Sequence, residues 1–133
     1  MADTEILKGL YAAYVEGNVQ ALLDAMDPEM EWREAEGNPS RPDEGVLIGP
    51  EAIVRDLLKP LAADWDDFSL HPAAFHDAGD VAVVEGRYSG RYSKTGREFN
   101  AQFCHIWTMR GEVLTSFQQY TDTAQWQAVM GAG

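Results

Sequence analysis

The spacing of apolar residues changes character halfway along the chain. In the first half Ile6, Leu7, Leu10, Tyr11 and Tyr14 recur at helical spacing and form one apolar stripe. Asp3 or Thr4 can cap this helix, Glu5 suits its positive end, and Gly17 stops it. Asn18 caps a second, shorter helix carrying Ala21, Leu22, Leu23 and Met26, which Asp27-Pro28 ends. Residues 30–35 read as a short strand with Met30, Trp32 and Glu34 on one side. A loop over residues 36–49 holds Gly37, Pro39, Pro42, Gly45 and Gly49, all turn formers, and is long enough to act as a lid or binding loop. Pro50 then opens a third helix with Ile53, Val54, Leu57, Leu58 and Leu61, and Pro60 marks or kinks its end.

From residue 68 onward the period is two. Strands are predicted over 68–75, 81–92, 98–109 and 113–120, separated by turns at Asp77–Asp80, Ser93–Gly96 and Arg110-Gly111. Short connections make these strands an antiparallel meander. Gly86 and Gly90 fall inside one strand, where glycine marks a bulge or bend that lets a sheet curl. On the third of these strands Ala101, Phe103, His105, Trp107 and Met109 share a face, apolar and aromatic except for one imidazole. On the return strand Leu114, Ser116, Gln118 and Tyr120 share a face. Asp122 or Thr121 caps a last short helix containing Trp126, Val129 and Met130.

The order helix, helix, strand, helix, four strands defines an α+β fold: a cone-shaped, strongly curved, mostly antiparallel sheet covered by about three helices, with a cavity inside. At 133 residues, 45% of them hydrophobic, the chain is one domain over 1–133, long enough for a proper core. Cys104, Ile106, Val113 and Phe117 are expected on the outer sheet face, and burying that face against a second copy predicts a homodimer. No apolar run is long enough to span a bilayer, and MADTEILKGL lacks the features of a signal peptide. The single cysteine forms no internal disulfide, so a cytoplasmic setting is expected. A net charge of −12 disfavours nucleic acid and anionic membrane as partners. Three scattered histidines predict no metal site.

Five segments bear a family resemblance: Tyr11-Ala-Ala-Tyr14 with Gly17-Asn18; Asp27 to Glu34; Ile48-Gly-Pro-Glu-Ala-Ile53; Phe103-Cys-His-Ile-Trp107; and Phe117-Gln-Gln-Tyr-Thr-Asp122-Thr. Over nearly the whole chain they resemble the SnoaL-like branch of the superfamily named for nuclear transport factor 2, which also contains ketosteroid isomerase. The resemblance implies the α+β cone and a site without organic cofactor. It sets Glu34 at the position of the isomerase's general base and His105 at that of its protonated aspartate, where SnoaL-like cyclases also carry histidine. The isomerase's tyrosine on the first helix falls on Leu10, with Tyr14 one turn further along the same face. The cyclase's aspartate on the last strand falls on Gln118. Leu10 and Gln118 both depart from the family pattern.

These readings converge on one pocket, an apolar wall with a few fixed polar groups. Glu34 is the candidate base, since a carboxylate beside Trp32 and facing an apolar cavity is costly to ionise. The alternative for Glu34 is a salt bridge to Arg33 or Arg41. His105 is the candidate oxyanion donor or proton shuttle, or else a core histidine satisfied by Tyr120, Gln118 or a backbone carbonyl. Tyr14, Trp32, Phe103, Trp107, Gln118 and Tyr120 are expected to contact a small hydrophobic ligand or substrate. Tyr11 is expected to pack helix against sheet, His71 and His76 to lie at the surface, and Asp122 to serve as a helix cap. Two functions fit: a cofactor-independent isomerase, cyclase or hydrolase acting on an apolar carbonyl or epoxide compound, or a non-catalytic dimeric binding module for a hydrophobic ligand.

Overall fold

The computed structural model describes residues 2–41 and 45–131, so Pro42 of the long loop lies outside the described residues. The chain runs α1 (Thr4–Val15), α2 (Val19–Asp24), β1 (Met26–Arg33), β2 (Leu47–Ile48), α3 (Pro50–Ile53), a π-helical turn (Val54–Leu58) and α4 (Lys59–Asp64). It continues through β3 (Trp65–Ala78), β4 (Val81–Tyr92), β5 (Glu98–Arg110), β6 (Val113–Thr121) and α5 (Thr123–Met130). Capping follows the sequence: Asp3 accepts from the backbone of Glu5 and Ile6, Asn18 from Ala21, and Asp122 from Gln125.

The six strands form one curved, unclosed sheet in the order β2-β1-β6-β5-β4-β3. β1 and β6 pair in parallel and all other neighbours are antiparallel. The predicted meander is therefore the larger part of the sheet, and the first half of the chain adds two strands beyond it. β3 is an edge strand, which is why it tolerates Pro72. Its pairing with β4 slips twice, between Asp66 and Ser69 and between Pro72 and Ala74, opposite Gly90 and Gly86. At Gly86 a Cβ would lie 2.5 Å from the His71 carbonyl oxygen and 2.7 Å from Phe103 Cζ. The absent side chain thus lets β3 and an aromatic ring approach the same point.

Helices cover the concave face. Leu7 and Tyr11 of α1, Ile53 and Leu57 of the third helical segment, and Trp126 of α5 are buried against sheet residues Met30, Val84, Ala101, Trp107 and Leu114. The third helix is not a plain α-helix. Pro60 offers no N–H to the helix interior and its ring crowds the carbonyl four residues before it. The Lys59 N–H bonds instead to the Val54 carbonyl, five residues back, and the resulting wide turn spans Val54–Leu58. Pro60 reshapes the helix rather than ending it.

Four expectations need correction. Leu47–Ile48, expected within the loop over 36–49, form β2 against β1. Met26 begins β1 instead of finishing the second helix, since the helix stops at Asp24. β3 starts at Trp65, three residues before the predicted strand, with Asp67 in a left-handed conformation (φ 56°) at the first register slip. Phe117, expected outside, is 2% exposed in the core. The cause is a bulge in β6: Met109 faces Leu114, but Thr108 faces Ser116, so Thr115 is an extra residue and the faces exchange beyond it. Among the described residues, no helix is long and apolar enough to cross a membrane.

Candidate functional site

The concave face and its helices enclose a cavity of about 60 Å³. α1 contributes Leu7, Leu10, Tyr11 and Tyr14; the kinked helix contributes Leu57, Leu58 and Leu61. The sheet supplies Trp32, Phe68, Tyr88, His105, Trp107, Phe117 and Gln119, and Glu34 follows directly on β1. Leu10, Tyr14, Leu58, Phe68 and Leu70 are only half-buried, which sets the side nearest solvent between α1, the π turn and β3. Pockets for drug-sized ligands hold roughly 300–1,000 Å³, so this cavity as it stands suits only a small molecule.

His105 lies at its floor, 3% exposed. Phe103 stacks flat against the imidazole, with ring centroids 3.9 Å apart and planes 8° from parallel. Gly86 makes that placement possible, because a Cβ there would occupy the space taken by the Phe103 ring. Both ring nitrogens are engaged: Tyr11 Oη lies 2.7 Å from Nδ1 and Tyr88 Oη 2.5 Å from Nε2. Trp107 Nε1 donates to Tyr11 Oη at 2.8 Å, and Gln119 Nε2 donates to Tyr88 Oη at 2.8 Å. Burial without a compensating charge lowers the His105 pKa to about 3, so the ring is neutral at physiological pH.

Glu34 lines the same cavity as Tyr88 and His105. Burial raises its pKa to about 7, opposed by the Trp32 hydrogen bond, the Arg41 charge and the Gln119 amide. Trp32 Nε1 donates to its Oε2 at 3.0 Å. The residue is half-buried by area although protein surrounds its carboxylate, because it borders the cavity. Arg33 does not pair with it and instead bonds Glu31 at 2.8 Å. The phenols of Tyr14 and Tyr88 are also pushed up, by burial first and then by the charge of Glu34.

Of the residues singled out from sequence, the fold brings together Tyr14, Trp32, Glu34, His105 and Trp107. Phe103 is buried behind His105 rather than on the cavity wall. Gln118 and Tyr120 are corrected: beyond the β6 bulge they point outward, and Tyr120 is 54% exposed. The inward amide is Gln119, 2% exposed, whose Oε1 accepts from Ala35 N–H at 3.1 Å and Asn38 Nδ2 at 2.9 Å. His105 is satisfied by two tyrosines, not by Tyr120, Gln118 or a carbonyl. Tyr11 does pack helix on sheet, but its hydroxyl joins the polar cluster.

Tyr88 was missed, although alternation could have found it. Ala82, Val84, Gly86 and Tyr88 share the inner face of β4, and Val84 pairs with His105 itself. The small Ala101 stands opposite Tyr88, and the phenol reaches His105 Nε2. His71 and His76 are exposed and bond Ser89 and Glu85. Among the described residues, no three His, Cys, Asp or Glu side chains are grouped to hold a metal ion.

A curved, helix-covered sheet around an aromatic-lined hollow is the class of fold that this chain shares with NTF2-like proteins. Within it the chain belongs to the SnoaL-like domain family, which residues 7–117 match. An NTF2-like protein of Burkholderia thailandensis E264 is 32% identical over 95% of both chains, with a TM-score of 0.88. TerC, crystallised with polyporic acid, is 25% identical over 96% of this chain and 97% of its own, with a TM-score of 0.83. IdmH of Streptomyces antibioticus, a candidate polyketide cyclase, shares the fold at 18% identity over 96% and 97% of the two chains, with a TM-score of 0.78. No curated protein matches significantly in sequence.

Proposed function

We propose that this protein is a cofactor-independent acid–base enzyme acting on a small, mostly apolar carbonyl compound, with Glu34 as the base. The observation that supports it is a carboxylate held near pKa 7 at the edge of an apolar cavity whose lining, among the described residues, includes no lysine or arginine. Such a group is half ionised at neutral pH and can both take and return a proton. In an isomerisation Glu34 removes a proton from the carbon beside the carbonyl, and the electron pair moves to oxygen as an enolate. The neutral Glu34 then returns the proton to another carbon, so no co-reactant is consumed. Cyclisation, or hydrolysis of an epoxide by water that Glu34 deprotonates, would use the same carboxylate. Tyr14, Trp32 and Trp107 form the wall around the substrate, and His105 acts through the tyrosines that occupy its nitrogens.

A second reading is a non-catalytic binding module. It is favoured by one specific observation: neither nitrogen of His105 is left to reach a ligand directly. That TerC crystallises with polyporic acid supports small-molecule binding by a related chain under either reading. In both readings the functional unit is a homodimer through the outer sheet face.

The deciding experiment is a ligand screen by thermal shift, weighted toward enones, polyketide fragments and small epoxides, with wild type beside Glu34→Gln. Binding by both proteins with conversion by wild type alone supports the enzyme. Equal binding with no conversion by either supports the module, and unchanged turnover in Glu34→Gln removes Glu34 as base.

A further inference from the structure

The hydrogen atoms around His105 can be counted, because several donors in the cluster have no choice of role. The Ser40 N–H can only donate, and it meets Asn38 Oδ1 at 3.0 Å, so the Asn38 amide nitrogen faces Gln119. The Ala35 N–H can only donate, and it meets Gln119 Oε1 at 3.1 Å, so the Gln119 nitrogen faces Tyr88. Trp107 Nε1–H can only donate, and it meets Tyr11 Oη. Each phenol oxygen therefore already accepts one hydrogen bond from outside the histidine.

Between the phenols stands a neutral imidazole carrying one hydrogen. The contacts Tyr11–His105 and His105–Tyr88 use one hydrogen each, while the two hydroxyls and the ring supply three. One phenolic hydrogen is left over, and the tautomer of His105 decides whose. With the hydrogen on Nδ1, the spare hydroxyl is that of Tyr11, which stands against the Phe75 and Trp107 rings. With the hydrogen on Nε2, the spare hydroxyl is that of Tyr88, which lines the cavity together with Glu34 and is bonded by the Gln119 amide that also reaches that carboxylate. A buried donor left without an acceptor is costly, so the second arrangement is preferred.

We infer that His105 is held as the Nε2–H tautomer and that Tyr88 is the donor which presents its hydroxyl hydrogen to a ligand oxygen beside Glu34. In the empty site that hydrogen turns to the Glu34 carboxylate; in the occupied site it turns to the developing enolate oxygen, as a hydrogen bond and not a proton transfer. Tyr88 is then a catalytic residue, while His105, Tyr11 and Gln119 are positioning residues that set which way its hydrogen points. The identity of the acceptor rests on the carbonyl reading of the cavity, whereas the hydrogen count does not.

The test is the ¹⁵N spectrum of the His105 imidazole in the unliganded wild-type protein at neutral pH, which needs no variant to fold. Protonated Nε2 with unprotonated Nδ1 is expected. Protonated Nδ1, or two nitrogens averaged to one value, would overturn the inference. The second measurement uses 2-cyclohexen-1-one as a probe, following its carbonyl stretch by infrared difference spectroscopy. Wild type and Tyr14→Phe should shift the bound carbonyl to lower frequency. Tyr88→Phe should lose that shift and bind about five- to tenfold more weakly, as for one lost hydrogen bond. Loss of the shift in Tyr14→Phe with retention in Tyr88→Phe would assign the donor to Tyr14 and overturn the proposal. Failure of Glu34 as base leaves the tautomer unchanged, so the two readings fail separately.

Discussion

At the scale of single residues, Glu34 and His105 titrate abnormally in opposite senses, and each shift is also a statement about stability. Burial raises Glu34 to about 7, so its contribution to stability is complete below the unfolded value near 4.5 and is lost as pH rises through 7. The loss amounts to about 3 kcal/mol by linkage. Glu34→Gln should therefore raise the melting temperature on the alkaline side of neutrality and leave it little changed in mild acid. Thermal melts across that pH range check this, and equal gains at every pH would contradict it. His105 is lowered from 6.5 to about 3, so its contribution is complete above 6.5 and is lost as pH falls toward 3. His105 should accordingly take up close to one proton on unfolding near pH 5, where it is neutral in the folded protein and charged in the unfolded one. Comparing wild type with His105→Gln by acid titration of the unfolding free energy would show a shallower fall in the variant.

At the scale of elements, the inner faces of β4, β5 and β6 are built to place that histidine. Gly86 on β4 gives Phe103 the space to lie flat on the imidazole, and the β6 bulge turns Phe117 and Gln119 inward. Gly86→Ala puts a methyl group within 2.5 Å of a backbone oxygen, so the strands must separate. It should cost about 1–3 kcal/mol, measured by urea unfolding. An unchanged midpoint would mean that β3 can move away freely. Gln119→Leu removes the acceptor shared by Ala35 and Asn38 and the donor to Tyr88. A loss of about 2–4 kcal/mol is expected, with earlier hydrogen exchange at the Ala35 amide, which a merely volumetric role for Gln119 would not produce. The π turn at Val54–Leu58 has the same character: a local irregularity, caused by Pro60, that directs Leu57, Leu58 and Leu61 together into the cavity.

At the scale of the molecule, the convex sheet face is the part without a covering layer among the described residues. Val83, Ile106 and Gln118 align across β4, β5 and β6, and Glu85, Cys104 and Tyr120 form the next row. With Val83, Cys104 and Ile106 half-buried and Tyr120 exposed, this surface is more apolar than a chain of net charge −12 needs for solubility. Pairing two such faces about a two-fold axis is the proposed dimer. Ile106→Glu would set two like charges against each other at the centre of that contact. Sedimentation should then find a monomer where wild type sediments as a dimer, and a monomeric wild type would remove the proposal.

Much of this protein is legible in its sequence because local rules govern it. Helix caps at Asp3, Asn18 and Asp122, the inward row from Ala101 to Met109, and the bends at Gly86 and Gly90 depend on residues near one another in the chain, and all are found in place. Glu34 beside Trp32 also follows from period two over a few residues. What the tertiary structure alone decided begins with Thr115: one unpaired residue exchanges the faces of β6, putting Phe117 and Gln119 inside and Gln118 and Tyr120 outside. No composition or period announces such a bulge, since it arises from matching two strands across a twisted sheet. The partners of His105 are of the same kind. Tyr11 on a helix and Tyr88 on another strand meet it only when helix, strand and curvature are fixed together, and burial among them is what makes the imidazole neutral.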